Sequence, residues 1–405
     1  MALASDIKAA SDLCVACGLC LPHCPTYQDS LNENESPRGR IALLRALADD
    51  RLPASATLKG HIDRCLGCLA CAAVCPSHVP YGTLLQSGRA LLVQKRRADL
   101  SVRLYRILIQ ATRSVRAVGL LYRLARLAQT LQLLPLLGKR LRLALQDLPR
   151  RPRPALLTPM PATAPEVALF CGCTADIDRE TLNAAIRVLQ ACGKRVSLPQ
   201  TQGCCGALAR HAGFADIGRD QERRNRRAFT ANPLPVVTVA SGCTATLRDY
   251  DKGGVSGFPP VYDIHQYLKE QGALHDVAWV PLHQTIVVHE PCSLRHDLKG
   301  ARALYDLLAH IPGARIVAAP DNSVCCGAAG DYFMREPQEA CALADRKIEA
   351  IRALEPDLIV SANIGCALHL SAALSRHGHT IPVVHPLLVL AGQLPLDARH
   401  DKVRV

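Results

Sequence analysis

Eight cysteines constrain the N-terminal part of this chain more than any other feature: Cys14, Cys17, Cys20 and Cys24-Pro25, then Cys65, Cys68, Cys71 and Cys75-Pro76. The spacing C-x2-C-x2-C-x3-C-P occurs twice. Three thiolates at three-residue spacing wrap one [4Fe-4S] cluster, and the fourth, after a proline-stiffened turn, reaches the neighbouring cluster. Crossed ligation assigns Cys14, Cys17, Cys20 and Cys75 to one cluster, and Cys65, Cys68, Cys71 and Cys24 to the other. Structural zinc needs only four ligands, usually as two separated C-x2-C pairs. Disulfide frameworks belong to short secreted chains, and the opening MALASDIKAASD has no apolar signal core. Two iron-sulfur clusters in a reducing compartment, the cytoplasm or the cytoplasmic face of a membrane, is the expectation.

With 405 residues, 49% of them hydrophobic, the chain has room for two or three cored domains. Its net charge of +13 could suggest nucleic acid, but aromatic residues are 4% and no nucleic-acid motif occurs. The excess is local. Between Arg89 and Arg153 stand sixteen Lys or Arg against two acidic residues, Asp99 and Asp147. In that region Leu104, Leu108, Ala111, Val115, Val118, Tyr122 and Ala125 step by four and three, predicting an amphipathic helix with Arg103, Arg106, Arg113, Arg116, Arg123 and Arg126 off the stripe. Such a helix suits an anionic membrane surface or an acidic partner; it equally suits packing on its own domain. The stretch His377 to Leu396 lacks full charges, but its three His and three Pro argue against a membrane span. Ser36-Pro37 ahead of RGRIALLRALADD announces a helix between the two cysteine runs. Pro149 to Pro165 is proline-rich and reads as a linker.

Beyond the linker the chain repeats itself. VALFCGCT (Cys171, Cys173), Gly203-Cys204-Cys205-Gly206 and VVTVASGCT (Cys243) are followed by TIVVHEPCSL (Cys292), Cys325-Cys326-Gly327 and DLIVSANIGC (Cys366). Matching cysteines stand 119, 121 and 123 residues apart, a near-constant offset that marks a duplication. Each outer cysteine follows a β-branched apolar run and precedes a helical pattern, so both copies read as α/β units, whose strand ends gather ligands at one place. Cys173, Cys204, Cys205 and Cys243 form one candidate site for a further cluster or for thiol chemistry; Cys292, Cys325, Cys326 and Cys366 form the other. Cys171 reads as packing at a strand end, Cys192 and Cys341 as inert helical cysteines, and His289 and His369 as satisfied polar groups beside the repeat cysteines.

This Cys-Cys-Gly pattern resembles the cysteine-rich domain of heterodisulfide reductase subunits and of iron-sulfur subunits of membrane-associated dehydrogenases. The full pattern closes each copy with C-x2-C; here Ala240 and Asn363 stand where the first cysteine of that pair would be. With CPTYQ from Cys24, PRGRI from Pro37, DRCLGCLACAAVCPSHVPY from Asp63, GCCGA from Gly203, PCSL from Pro291 and CCGAAG from Cys325, the whole chain resembles the iron-sulfur subunits of glycolate oxidase, or glycolate dehydrogenase. The resemblance implies an α+β multidomain chain: a helical two-cluster ferredoxin domain (1–98), basic amphipathic helices and a linker (99–165), and two cysteine-rich repeats (166–280 and 281–405). It implies FAD-containing partner subunits that oxidise glycolate to glyoxylate, with this chain relaying electrons towards quinone. No flavin or nicotinamide fingerprint occurs on the chain itself, and no residue of it is expected to act on the substrate directly. Subunits of anaerobic glycerol-3-phosphate or D-lactate dehydrogenases share the architecture, and a heterodisulfide-reductase-like thiol enzyme is the reading from another class.

Overall fold

The computed structural model describes residues 2–136, 138–156, 164–251, 257–272, 274 and 277–395. Its N-terminal part is helical. Helices Ala2–Asp12, Pro37–Ala48, Ala56–Asp63 and Tyr81–Lys95 enclose a core of Ile7, Leu44, Leu47, Ile62, Leu84, Leu85 and Leu92. The expected start at Ser36 is present: its hydroxyl accepts from the Gly39 amide at 2.9 Å, and Pro37 occupies the first turn, where its missing N–H costs nothing. The two cysteine loops hang from this scaffold.

The basic region is two helices rather than one, Leu100–Ala111 and Val115–Thr130, with Ser114 capping the second. In the second helix the expected stripe residues Val115, Val118, Tyr122 and Ala125 are half-buried, but in the first the buried face differs from the expected stripe. Val102 and Ile109 are buried together with Phe214 and Ile217 of the following domain, with Tyr105 packed against them, whereas Leu104 and Leu108 are exposed. Helical periodicity establishes that a face exists. Which of two adjacent apolar faces is covered depends on the aromatic Phe214 that happens to meet it. Of the proline-rich stretch, 149–156 carries no helix or strand, and 157–163 lies outside the described residues.

The repeats are two four-stranded, all-parallel sheets of the same topology. Strands β1 (Val167–Phe170), β2 (Val196–Ser197), β3 (Val236–Thr238) and β4 (Val261–Asp263) lie in the order β2-β1-β3-β4; β5 (Thr285–His289), β6 (Arg315–Ala318), β7 (Leu358–Ser361) and β8 (Val383–Val384) lie in the order β6-β5-β7-β8. Even the registers correspond, with Phe170 opposite Thr238 and His289 opposite Ser361. The central strands are apolar and buried, as expected of parallel strands covered on both faces. One hydrophobic core runs through both copies, joining Val167, Leu169 and Leu189 to Ile286, Val288, Leu304 and Leu390, so the two units bury each other's faces. The carboxyl ends of β3 and β7 meet across this interface, where Ser241 N donates to Ala362 O (3.3 Å) and Ser241 Oγ lies 2.7 Å from Ser293 Oγ. Residues 377–395 form β8 and the helix Pro386–Gly392. No helix among the described residues is long and apolar enough to cross a membrane.

Candidate metal centres

Two adjacent cavities open between the cysteine loops. One is lined by Cys14, Cys17, Cys20 and Cys75. The other is lined by Cys24, Cys65, Cys68 and Cys71. Each thus gathers three cysteines of one run and the last cysteine of the other run; Cys71 also borders the first cavity. Both loops use the same backbone device. Ala16 and Gly18 in the first, Gly67 and Leu69 in the second, adopt positive φ, at the second and fourth positions after the leading cysteine. Alternation of this kind curls the chain into a concavity lined by amides. Backbone N–H groups of Gly67 and Ala70 reach the sulfurs of Cys65 and Cys68, as suits thiolates carrying metal. Around the first cavity Cys17 is exposed, and Leu13, Val15 and Leu19 form an exposed apolar rim.

The second cavity is buried and positively charged. Arg40, fully buried, donates to Glu35 Oε2 (2.6 Å), Thr26 Oγ1 (3.0 Å) and His61 O (2.9 Å), and its Nη1 stands 3.9 Å from Cys24 Sγ. Arg89, also buried, donates to Cys65 O (2.6 Å), Ile62 O (3.2 Å) and His211 O (3.1 Å). Burial alone would raise the Cys65 thiol, but these two guanidiniums outweigh it and hold the group below the ordinary thiol range, with the Tyr81 hydroxyl 3.5 Å away. Cys68 and Cys71, with burial and other thiols around them, are pushed up. Four thiols gathered in a pocket carrying positive charge fit an iron-sulfur cluster, which takes its ligands as thiolates.

In each repeat the three cysteine stations converge. Cys204 Sγ contacts the sulfurs of Cys173 and Cys205, and Cys205 contacts Cys243. In the second copy Cys292, Cys325, Cys326 and Cys366 make the same chain of contacts. Cys205 is drawn well down by hydrogen bonds from Cys204 and Cys243, which are themselves driven up. Gly206 and Gly327, at φ +89° and +92°, donate their amides to Cys204 and Cys325 Sγ at 3.4 Å. A side chain there would strike Gly218 O at 3.2 Å or Ala340 O at 2.6 Å, which is why the pattern needs glycine. Four soft donors in each buried site suit an iron-sulfur centre.

Cys171 stands apart from these sets, against the core with Gln202 Nε2 3.6 Å from its sulfur. Cys192 packs at the end of the helix Arg179–Ala191, and burial raises its thiol to about 11; Cys341 lies within the helix Pro337–Arg352. His369 gives its Nε2 to Ala340 O (3.0 Å), as expected of a satisfied polar group. His289 is likewise satisfied, with its Nδ1 3.0 Å from Ser361 Oγ, and one of its ring nitrogens also lies within 4.8 Å of the sulfurs of Cys326 and Cys366. Asn363, where a closing cysteine would stand, caps the helix Ile364–Arg376 through the Gly365 amide (3.0 Å).

The sites are not isolated from one another. Leu66, Cys68, Cys292 and Cys325 belong to one packed cluster with Tyr332 and Leu343, so the second ferredoxin cavity abuts the second repeat's cysteines directly. The first repeat approaches the same loop through His211, whose ring borders Gly67. Arg40 lies inside the PRGRI motif, but nothing local signals its burial; Arg89 sits in an ordinary helical pattern and had no signal at all.

A family model described as "4Fe-4S dicluster domain" matches residues 10–79, and one described as "Cysteine-rich domain" matches 167–248 and 286–371. The glycolate oxidase iron-sulfur subunit of Escherichia coli (strain K12) is 33% identical over 403 residues, 93% of each chain. The probable glycolate oxidase iron-sulfur subunit of Bacillus subtilis (strain 168) is 32% identical over 396 residues, 90% of this chain and 89% of the relative. A subunit of the fumarate reductase (CoM/CoB) of Methanothermobacter marburgensis is 26% identical over 377 residues, 90% of this chain and 68% of the relative.

Proposed function

Because this chain belongs to the family of glycolate oxidase iron-sulfur subunits, we propose that it relays electrons to quinone from FAD-containing partner subunits that oxidise glycolate to glyoxylate. The likeness along nearly the whole chain carries this reading, and the contact between the Cys68 loop and Cys292 gives it a route. In this reading Cys14, Cys17, Cys20 and Cys75 hold one [4Fe-4S] cluster, and Cys65, Cys68, Cys71 and Cys24 hold the second. The sets Cys173, Cys204, Cys205, Cys243 and Cys292, Cys325, Cys326, Cys366 hold further iron-sulfur. Bound clusters supply one-electron exchange, which lets a two-electron flavin donor be emptied in successive steps.

The residues of this chain set the conditions for that exchange. The apolar rim of Leu13, Val15 and Leu19 beside exposed Cys17 offers a partner an approach to the first site. Arg40 and Arg89 bring buried positive charge to the second, favouring an added electron there. The exposed leucines of Leu100–Ala111 and Val115–Thr130, Leu100, Leu104, Leu108, Leu120, Leu124 and Leu127, beside a net excess of arginine, suit peripheral contact with an anionic membrane, on the cytoplasmic side in this reading.

The test is low-temperature EPR of the anaerobically purified complex after separate addition of glycolate, D-lactate and glycerol-3-phosphate. Glycolate is expected to reduce the clusters, and Cys68→Ser to abolish electron delivery while flavin reduction persists. Reduction by glycerol-3-phosphate or D-lactate alone would assign the chain to a different flavin partner. Turnover retained in Cys326→Ser would remove the thiol-enzyme alternative.

A further inference from the structure

The two repeats share topology, register and cysteine positions, yet they differ at the residue ending the first strand. Phe170 ends β1 and faces Thr238 across the ladder; His289 ends β5 and faces Ser361. Phe170 brings no donor. His289 is 1% exposed, and a nitrogen of its ring lies with the sulfurs of Cys326 and Cys366 in a group whose donor atoms are all within 4.8 Å of one another. Its Nδ1 is 3.0 Å from Ser361 Oγ. A hydroxyl accepting from Nδ1–H fixes the ring and leaves the Nε2 lone pair for a metal, the arrangement that outer partners impose on ligating histidines. A second difference points the same way. Lys347, 4% exposed, lies near the thiols of Cys325, Cys326 and Cys366 with its ammonium on Asp321 O at 2.8 Å. The same place in the equivalent helix of the first repeat is Asn225, which holds the Gly203 amide and Cys204 O.

We propose that His289 is a ligand of the centre in the second repeat, which makes that centre a mixed imidazole–thiolate iron-sulfur site while the first repeat is ligated by sulfur alone. This rests on the reading that the repeats bind iron-sulfur. With His289 taking an iron position that a thiolate fills in the first repeat, the neutral imidazole leaves the centre less negative than an all-thiolate one, and Lys347 adds positive charge, so the second repeat accepts an electron more readily than the first. It is also the repeat whose cysteines touch the Cys68 loop. The duplication has therefore given one copy the chemistry of an acceptor next in line.

The test uses the full chain in its complex, with ¹⁵N supplied only in histidine, and pulsed EPR of the reduced protein. A histidine nitrogen coupling is expected in the wild type. It should vanish in His289→Phe, which reproduces the first repeat, and in His289→Cys, which keeps the iron; it should persist in His369→Gln. Redox titration of His289→Cys should show the centre moved to lower potential. Absence of the coupling in wild type, or its survival in His289→Cys, overturns the assignment. A Cys325→Ser/Cys326→Ser variant separates this from failure of the underlying reading: it should lose about four irons per chain, and unchanged iron would show that the second repeat holds none, removing both.

Discussion

Arg40 provides the sharpest quantitative test of how this fold handles an electron. Its Nη1 lies 3.9 Å from Cys24 Sγ inside a site closed to solvent. At an effective dielectric of about 20, unit charges at that separation interact by about 4 kcal/mol. An electron added to a cluster spreads over it, so the working distance roughly doubles to about 8 Å and the stabilisation falls to about 2 kcal/mol, about 90 mV for a one-electron couple. Arg40→Gln is therefore expected to lower the midpoint of the cluster proposed at Cys24 and Cys65 by about 90 mV. Arg40→Lys, which keeps the charge, should lower it far less. Breaking a buried pair commonly costs about 3–5 kcal/mol of stability, but Glu35 retains Arg64 at 2.8 Å and His61 at 2.7 Å, which moderates that loss. The assay is potentiometric titration followed by EPR, with iron content measured on the same samples. An Arg40→Gln chain with full iron and an unmoved midpoint would refute the electrostatic reasoning, as would an equal shift in the lysine variant.

Gly327→Ala and Gly206→Ala share a left-handed penalty of about 1–2 kcal/mol, but the new methyl meets Ala340 O at 2.6 Å in the first and Gly218 O at 3.2 Å in the second. Denaturant titration should find the Gly327 variant less stable by a further ~1–3 kcal/mol, and equal stabilities would contradict the closer clash. His211 is held down to about 4, by burial first and then by Arg89. The unfolded chain thus takes up a proton near pH 6.5 that the folded chain refuses, and stability should fall as pH drops from about 6.5 to about 4 and level off below. The full effect is about 3 kcal/mol, and His211→Gln should remove that component; a variant with the wild-type pH profile would disprove it. Leu104→Asp/Leu108→Asp should weaken sedimentation with anionic vesicles at least about tenfold, since two exposed leucines each contribute about 1.5–3 kcal/mol when buried, and unchanged sedimentation would exclude that face from membrane contact.

Much of this protein is written in local spacing. A metal run needs cysteines at fixed short intervals, a parallel strand needs a continuous apolar stretch, and a duplicated unit repeats both at a constant offset. The paired cysteine loops, the two α/β repeats and the family resemblance were therefore legible without coordinates, and the structure carries the same cysteines into four gathered sites. What remained hidden depends on which distant segments meet. The buried face of Leu100–Ala111 follows from Phe214 and Ile217, not from its own periodicity. Arg89 gains its place by donating to His211 O, 122 residues away, and to Cys65 O. His289 reads in sequence as one more polar residue at a strand end; only the pairing of β5 with β7 sets it on Ser361, 72 residues on, and beside Cys326 and Cys366. The cysteines alone determined that this chain gathers metal, because ligand spacing is a short-range property. Charge around each centre, the non-cysteine donor and the contact from Cys68 to Cys292 were decided by the tertiary structure, because they arise from long-range packing that no local pattern encodes.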